Sequence, residues 1–155
     1  KTAMGGVLFI DEAYALDPVG DKFKGSPIAN ELLTLAETER ENLSFILAGY
    51  EDELNDKLFA YNPGLKSRFK EIMFEDFDED ELFDVWTSMR EQRKWHEAHD
   101  QLGKVVVRRL AKMKGKKGFG NARDVRKKLE CAVDRAMSRE DFSPDNLILE
   151  MEDVV

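Results

Sequence analysis

Two adjacent carboxylates, Asp11 and Glu12, directly follow an apolar run at residues 7–10. If that run is a buried parallel strand, the acids lie at its carboxyl end, where open α/β sheets collect their ligands. An Asp at this place can hold Mg²⁺ on a nucleotide, and the adjacent Glu can polarise an attacking water as a general base. Acids also follow strands simply as solvated loop residues, so the pair by itself leaves both interpretations open.

A second candidate is Arg68, in the stretch 62–69 that reads Asn-Pro-Gly-Leu-Lys-Ser-Arg-Phe. A turn followed by an Arg just before a predicted strand can present a guanidinium to another subunit. Arg suits this role because its planar fork stays charged and can spread positive charge over phosphoryl oxygens. The alternative is a surface Arg that makes an ordinary salt bridge.

A third candidate is Arg123, in the stretch 118–124 that reads Gly-Phe-Gly-Asn-Ala-Arg-Asp. Asn121 suits the N-cap of a following helix, and Asp124 in the first turn suits the helix dipole. A cation such as Arg123 is mildly unfavourable at that positive end, and a phosphate partner would explain its position. The alternative is a surface Arg whose charge is offset by Asp124.

The elements that must position these residues follow from the hydrophobic pattern. Short apolar runs predict strands, apolar residues at helical spacing predict helices, and segments rich in Pro, Gly, Asp and Ser predict loops. The strands are predicted at 7–10, 43–48 and 72–74, the helices at 28–40 and 52–59, and the loops at 17–27 and 62–64. The alternating order indicates an α/β fold with a parallel sheet over residues 1–77.

After residue 77 the pattern becomes helical. Helical spacing of apolar residues predicts three helices, around 82–89, 102–113 and 125–136, and a small strand is predicted at 147–149. Residues 78–155 are therefore predicted to form a small helical subdomain. Cys131 falls on the apolar side of the third predicted helix and is predicted to lie in its core.

Composition limits the class of protein. The 155 residues suffice for one compact domain, or for a shortened domain plus a small helical one. The net charge of −8 argues mildly against bulk nucleic-acid binding. A single cysteine excludes an intrachain disulfide and suggests a reducing compartment. No apolar run is long enough to span a membrane, so a cytoplasmic or similar intracellular protein is expected.

Four segments, in this order and spacing, resemble the AAA+ ATPases of the CfxQ/CbbX (red-type Rubisco activase) and stage V sporulation protein K group. The segments are 5–14 (GGVLFIDEAY), 45–50 (FILAGY), 62–69 and 120–123 (GNAR). The resemblance covers essentially the whole chain. It implies a partial AAA+ P-loop NTPase core in residues 1–77, followed by a small all-α lid subdomain in residues 78–155.

The resemblance implies a role for each candidate residue. Asp11 and Glu12 match the Walker B motif, with Asp11 holding Mg²⁺ through the nucleotide and Glu12 acting in catalysis. Arg68 matches the arginine finger, which acts on the nucleotide of the neighbouring subunit. Arg123 matches sensor 2, which acts on the nucleotide of its own subunit.

The resemblance also places a sensor 1 residue at the end of the second strand, near Gly49 or Tyr50. Many AAA+ proteins have Asn or Thr there, and neither occurs at this point of the chain. The cofactors implied for the complete protein are ATP and Mg²⁺. The partners implied are a protein substrate and further copies of the subunit in a ring, commonly a hexamer, with no membrane and no nucleic acid.

The chain departs from the family pattern before Gly5. The family has a glycine-rich phosphate-binding loop with Lys-Ser/Thr, called Walker A, and an aromatic pore loop upstream of Walker B, and neither motif occurs in this sequence. We therefore expect the chain to be the C-terminal portion of a larger ATPase. We also expect the chain by itself to bind nucleotide weakly, because the backbone of the missing loop normally cradles the phosphates.

Two other functions stay open at this point. In the first, the chain is a non-catalytic interaction fragment whose helical part binds a partner. In the second, Asp11-Glu12-Ala13 belongs to the DEAx box of a nucleic-acid helicase. A helicase needs a Ser/Thr-Ala-Thr-like motif after the second strand, whereas residues 47–50 read Leu-Ala-Gly-Tyr. The helicase interpretation also leaves segments 62–69 and 120–123 unexplained.

Overall fold

The computed structural model describes residues 3–16, 25–61 and 63–155. The chain divides into two compact units, Lys1–Ile72, called unit 1 here, and Met73–Val155, called unit 2. Residues 17–24 of the predicted loop and Asn62 of the predicted turn lie outside the described residues. No helix of the described ranges has the length and apolar character needed to cross a membrane.

Unit 1 is built on a pair of parallel strands. β1, Gly6–Ile10, pairs with β2, Leu43–Leu47, in a register that aligns the first residues of the two strands and also the last. Helix α1, Gly25–Thr38, connects them and begins three residues before the predicted start at Ile28. The β-α-β order confirms the predicted α/β fold with a parallel sheet.

One face of this strand pair supplies the core of unit 1. Inward-facing residues of both strands pack with α1 and with the helices that follow β2. The fully or almost fully buried members are Ala13, Ala29, Leu32, Leu58 and Leu65. The opposite face carries Val7, Phe9 and Ile46, which are 56%, 58% and 49% exposed. Both faces of the strand pair are therefore apolar, although the described residues cover only one of them.

Short helices flank the carboxyl ends of the two strands. A 3-10 helix, Ala13–Leu16, follows β1, and α2, Glu51–Glu53, continues into the π-helical turn Leu54–Phe59 after β2. The helical stretch that follows β2, residues 51–59, confirms the helix predicted at 52–59. The turn predicted at 62–64 is wrong for its described residues, because Pro63 begins helix α3, Pro63–Lys66. Proline is well suited to the first position of a helix, where no N–H is needed.

The third strand, predicted at residues 72–74, is absent. The described residues 70–78 form neither helix nor strand, and Ile72 and Phe74 are 71% and 89% exposed. A strand needs a neighbouring backbone for its N–H and C=O groups, and no described strand runs beside this segment. The apolar side chains of residues 72–74 are exposed in this structure, so the apolar run predicted a strand that does not form.

Unit 2 is a small helical subdomain, as predicted. Its long helices are α4, Glu79–Gln92, α5, Leu102–Ala111, and α6, Ala122–Met137, and the short α7, Met151–Val154, ends the chain. The strand predicted at 147–149 is β4, Ile148–Leu149, which pairs in parallel with an unpredicted two-residue strand, β3, His96–Glu97. These α-helices and a minimal strand pair fit the predicted lid.

The core of unit 2 is centred on the fully buried Trp86. Its indole Nε1 donates to Glu97 Oε1 at 2.6 Å, and Gly103 N donates to Glu97 Oε2 at 3.2 Å. Arg90 Nε lies 3.3 Å from the same Glu97 Oε1. One carboxylate therefore provides hydrogen-bond partners for a buried ring and a helix backbone, and a guanidinium balances its charge.

The prediction that Cys131 lies in the core is wrong, because its side chain is exposed. The buried stripe of α6 consists of Val125, Leu129, Ala132 and Ala136. Each residue turns a helix by about 100°, so Cys131 lies well to one side of Ala132 and of that stripe.

We predict that Gly103→Ala destabilises unit 2 by about 1–3 kcal/mol, the usual cost of overpacking a core. A Cβ at this position would lie 2.7 Å from Cδ1 of the buried Trp86 ring, so helix α5 would have to move away. Both tryptophans of the chain, Trp86 and Trp95, lie in unit 2. Urea unfolding followed by tryptophan fluorescence therefore reports on this unit.

The control is Lys104→Ala, a substitution at the next position of the same helix where the side chain is exposed. It should change the free energy of unfolding by less than about 0.5 kcal/mol. Equal stability of the Gly103→Ala variant and the parent chain would contradict the proposed close packing.

Candidate active site

The carboxyl ends of β1 and β2 are held together beyond the last strand residues. Ala48 N donates to Ile10 O at 2.9 Å, and Ala13 N donates back to Ala48 O at 2.9 Å. The residues that follow each strand therefore lie side by side. This arrangement brings Asp11 and Glu12 next to Gly49 and Tyr50, which the sequence predicted to share one edge of the sheet.

The two carboxylates occupy a sharp backbone turn. Glu12 has a φ of 51°, a left-handed conformation that is uncommon for a residue with this side chain. Asp11 Oδ1 accepts a hydrogen bond from Glu12 N at 3.0 Å, and Ala15 N donates to Glu12 O at 2.8 Å. Both acidic side chains are exposed, whereas the next residue, Ala13, is fully buried. The buried alanine anchors the turn and leaves the carboxylates accessible.

Tyr14 is a neighbour of Glu12 that sequence reasoning did not single out. Its ring stacks on Tyr50 with centroids 6.3 Å apart, and Lys57 Nζ lies 5.5 Å from its centroid. Partial burial raises the pKa of Tyr14, and the charge of Glu12 and a hydrogen bond to the Glu12 carboxylate raise it further. The spacing of two residues between Glu12 and Tyr14 was the available signal, but spacing alone does not show that the ring folds back.

Gly49 is constrained by this aromatic contact. A Cβ at Gly49 would lie 2.9 Å from Tyr14 Cδ1 and 3.3 Å from Leu54 Cγ. The packing therefore gives a structural reason for glycine at the place where the family resemblance puts sensor 1. Tyr50 is exposed beside it. Nucleotide contact by Gly49 or Tyr50 stays a prediction.

Arg68 makes an ion pair within unit 1. Its Nε lies 2.9 Å from Glu37 Oε2, and its Nη1 donates to Gly64 O at 2.9 Å. The side chains of Arg68 and Glu37 are 37% and 60% exposed, and solvent-exposed ion pairs contribute little stability. The contact matches the ordinary salt bridge that was the alternative for this residue. It leaves the role of arginine finger as a prediction.

Arg123 lies in unit 2, in the first turn of α6, and its side chain is exposed. In the described ranges, no hydrogen bond or ion pair engages its guanidinium. Its backbone N donates to Gly120 O at 2.8 Å. The sequence predicted a cation in this unfavourable position, and the structure gives it no compensating acidic partner in the described residues.

Asn121 occupies the predicted N-cap position of α6, and its backbone O accepts from Asp124 N at 3.0 Å. Its side chain, however, makes no capping bond, and its backbone has φ 49° and ψ −119°. Asn121 Nδ2 donates instead to Asp76 Oδ1 at 2.7 Å, and Asn121 Oδ1 accepts from Phe77 N at 2.8 Å. Local sequence could not show this choice, because Asp76 is 45 residues away along the chain.

Asp76 is the second half of this contact. Its Oδ2 accepts a hydrogen bond from Gly115 N at 2.9 Å. That bond and the Asn121 amide lower the pKa of Asp76 below its ordinary value, with help from the charge of Lys114 and against the effect of partial burial. The native structure therefore favours the ionised carboxylate.

A metal ion at Asp11 would have to share its coordination with other groups. In residues 3–16, 25–61 and 63–155 no group of three or more His, Cys, Asp or Glu side chains is arranged to hold a metal. Mg²⁺ is commonly bound by one or two carboxylates together with waters and substrate phosphates. The exposed oxygens of Asp11 fit that mode of binding.

Comparisons with known proteins agree with this architecture. Residues 78–154 match the family model of the AAA lid domain. The chain is 36% identical over 160 residues to a protein CfxQ homolog of Galdieria sulphuraria, covering 100% of this chain and 50% of the relative. It is 36% identical over 142 residues to the chloroplastic ribulose bisphosphate carboxylase/oxygenase activase of Cyanidioschyzon merolae, covering 90% and 46%. It is 37% identical over 145 residues to the protein CbbX of Cereibacter sphaeroides, covering 90% and 44%.

A parallel β-α-β unit with two adjacent acids after its first strand, followed by a helical lid, defines a module of the AAA+ class. The chain belongs to the CfxQ/CbbX family of AAA+ proteins, which confirms the resemblance seen in the sequence. It spans about half the length of the curated relatives that it matches.

We predict that Asp76→Asn destabilises unit 2 in a pH-dependent manner. The folded state lowers the pKa of Asp76. The ionised Asp76 therefore stabilises the fold fully above the pKa of the unfolded state, which is about 4. That effect is lost as the pH falls through the folded pKa. The deficit of the variant should therefore be largest at pH 6 and shrink below pH 4, measured by urea unfolding with tryptophan fluorescence.

Asp145→Asn, at an exposed position of the same unit, is the matched control for removing one negative charge. It should not reproduce the pH-dependent deficit. A deficit of the Asp76→Asn variant that is the same at pH 6 and pH 3 would show that the ionised form of Asp76 is not what stabilises the fold.

Proposed function

We propose that the complete protein is an AAA+ ATPase that couples ATP binding and hydrolysis to the remodelling of a partner protein. This chain supplies the C-terminal part of the ATPase core and the lid. The observation that carries the proposal is the backbone pairing of Ala13 and Ala48, which places Asp11 and Glu12 at the shared carboxyl edge of two parallel strands. Ligands of α/β sheets bind at that edge.

Each carboxylate has a separate task. Asp11 would hold Mg²⁺ through the nucleotide, and the bound ion would supply positive charge that neutralises the phosphates. Glu12 is the general base that polarises the attacking water. The left-handed turn at Glu12 keeps its carboxylate exposed beside Asp11 while the buried Ala13 fixes the backbone.

The phosphates are held by a part of the protein upstream of Lys1. Two observations support this step of the proposal. The relatives are about twice as long as the chain, and the outer face of the β1–β2 pair carries exposed Val7, Phe9 and Ile46. Parallel sheets that are apolar on both faces are typically covered on both. A larger α/β core would cover this face and supply the phosphate-binding loop.

The two arginines act on different nucleotides in a ring of subunits, commonly a hexamer. Arg68 acts in trans, on the nucleotide of the neighbouring subunit, and Arg123 acts in cis. The exposed ion pair between Arg68 and Glu37 is weak enough for Arg68 to leave Glu37 and contact a phosphate instead. Arg123 has an exposed guanidinium near a helix N-terminus, which suits a phosphate as its partner.

The remodelled partner is a protein. The relative from Cyanidioschyzon merolae is named as an activase of ribulose bisphosphate carboxylase/oxygenase. That enzyme is therefore the first partner to test with the complete protein. Stimulation of ATP turnover by the partner, and recovery of partner activity that requires ATP, would support the assignment.

We predict that this chain by itself does not hydrolyse ATP appreciably and binds it weakly, whereas the complete protein does both. The physical reason is that Asp11 and Glu12 act on phosphates that another segment must hold. Calorimetric titration with Mg²⁺-ATP measures binding, and phosphate release measures turnover.

Glu12→Gln in both proteins is the control, because it removes the base and keeps the shape of the side chain. Robust turnover by the chain, abolished by Glu12→Gln, would show that the phosphate-binding groups lie within these residues. A complete protein that binds no nucleotide would favour the non-catalytic interaction module instead.

We predict that Arg68→Ala in the complete protein reduces turnover about 10³-fold or more, while nucleotide affinity stays largely intact. An arginine that meets charge mainly in the transition state changes rate more than binding. Arg123→Ala should instead weaken both, because that side chain would contact the bound nucleotide.

Mixed rings test whether the site is shared. Neither Arg68→Ala nor Glu12→Gln subunits form a working site alone, but a mixed ring has some interfaces where an intact Glu12 faces an intact Arg68. Partial recovery of turnover on mixing, with subunit exchange verified, is the expected result. No recovery in verified mixed rings would mean that Arg68 serves its own subunit or is structural.

A further inference from the structure

The segment that begins unit 2 is fixed at three consecutive residues. Asp76 accepts from Gly115 N and from the Asn121 amide, and Phe77 N donates to Asn121 Oδ1. Asp78 then caps α4 in a capping box, in which its Oδ1 accepts from Glu81 N and Glu81 Oε2 accepts from Asp78 N, both at 2.9 Å. This short stretch is therefore held to α4 on one side and to the α5–α6 loop on the other.

The contact between residues 76–77 and the loop that joins α5 to α6 is specific, because its donors and acceptors are complementary. The Asp76 carboxylate accepts two hydrogen bonds, and the Asn121 amide both donates and accepts, so the donors and acceptors of the two side chains match. The Asn121 contacts are partly buried, where an unmatched polar group would be costly. The Asp76–Asn121 clip is defined here as these two side chains with Phe77 N and Gly115 N.

The backbone conformation of Asn121 is energetically unfavourable, and the contacts of the Asp76–Asn121 clip explain why it persists. With φ 49° and ψ −119°, Asn121 adopts a conformation that glycine reaches easily and most other residues do not. Strained residues persist where the surrounding structure over-determines them, and they cluster at functional sites. Here the residue that follows two positions later is Arg123, and Arg123 N donates to Gly120 O on the other side of Asn121. The strained residue sits inside the turn that presents Arg123.

The turn is also packed from within. Gly120 N donates to Asp124 Oδ2 at 2.9 Å, and a Cβ at Gly120 would lie 3.3 Å from the Arg123 Cβ. Phe119, just before it, belongs to the core of unit 2. The turn is therefore held from the core side by Phe119 and from the other side by the clip.

We propose that Asn121 is a positioning residue for Arg123, and that the Asp76–Asn121 clip ties residues 76–78, near the start of unit 2, to the turn that presents this arginine. Arg123 does not then move independently of residues 76–78. A phosphate that engages Arg123 fixes the course of that segment, and a change in the segment's course displaces Arg123. The nucleotide part of this inference rests on the proposed function, whereas the clip itself does not.

The variant Asn121→Gly removes the side-chain contacts of the clip and also relieves the backbone strain at this position. Glycine adopts the backbone conformation of Asn121 without steric strain, so in the folded state this variant loses only the side-chain contacts. In the chain itself, amide exchange measured by NMR should speed up at Phe77 by about tenfold or more, since its acceptor is gone. Gly115 should stay protected, because Asp76 still accepts from it. Unchanged exchange at Phe77 would overturn the clip.

Exchanging the acid and the amide between positions 76 and 121 tests whether their hydrogen-bond donors and acceptors match. Asn121→Asp places two carboxylates together, and Asp76→Asn leaves the new amide facing another donor. In the double variant Asp76→Asn/Asn121→Asp, residue 76 can again accept from Gly115 N and donate to residue 121, which can accept from Phe77 N. Both single variants should lower the urea midpoint of unit 2, and the double variant should restore most of it. Additive losses in the double variant would overturn the proposed geometry.

A double-mutant cycle with Arg123 tests positioning. In the complete protein carrying Glu12→Gln, Asn121→Gly should weaken Mg²⁺-ATP binding by about 2- to 30-fold, the range of mutations that act through a coupled network. Combined with Arg123→Ala it should weaken binding no further than Arg123→Ala alone. Asn146→Ala, at an exposed position of the same unit, is the control and should leave the affinity unchanged.

The outcomes distinguish the two levels of the inference. If Arg123→Ala weakens binding but its effect and that of Asn121→Gly add, Asn121 does not act through Arg123 and the positioning role is wrong. If Arg123→Ala leaves the affinity unchanged, the proposed nucleotide role of Arg123 fails, and the positioning role fails with it. The exchange rate at Phe77 and the rescue by the double variant decide the clip in either case.

Discussion

The candidate site of unit 1 depends on one constraint, the parallel register of β1 against β2. Ile10 lies opposite Leu47, and the pairing continues through Ala48 and Ala13. A slip of one residue would exchange the two faces of a strand and would turn its buried side chains outward. Because the register is pinned by the core-facing residues of both strands, the acids after β1 and the glycine after β2 meet at one edge. The chemistry proposed for Asp11 and Glu12 follows from that meeting.

Unit 2 is organised by polar side chains that satisfy several partners at once. Glu97 joins the buried Trp86 ring to the backbone of Gly103, and Asp76 with Asn121 joins the start of the unit to the turn before α6. In both places a partly buried group must find its hydrogen-bond partners, because leaving it unpaired costs more than the bond contributes. These contacts therefore decide where helices may approach and where the loops run.

Two of the predictions failed because the sequence does not show which partner a segment or side chain meets, and a third failed on helix geometry. Residues 72–74 have the composition of a strand, yet a strand forms only beside another backbone, and none is available in the described residues. Asn121 could cap α6 with its side chain, but that side chain instead donates to the Asp76 carboxylate and accepts from the backbone N–H of Phe77. Cys131 was misplaced because a helical stripe is narrow and a shift of one position moves a side chain by about 100°.

Hydrophobic periodicity and local motifs were enough to predict the two strands of the sheet, the long helices, the α/β order and the family. The sequence also indicated that acids would follow β1 and that Arg123 would stand in the first turn of a helix. Three contacts became visible only in the folded chain: Tyr14 packs against Glu12 and Gly49, Arg68 pairs with Glu37, and Asn121 binds Asp76. Each of these contacts is one of several that the side chain could make with groups brought close by folding, and separation along the chain carries no information about that distance.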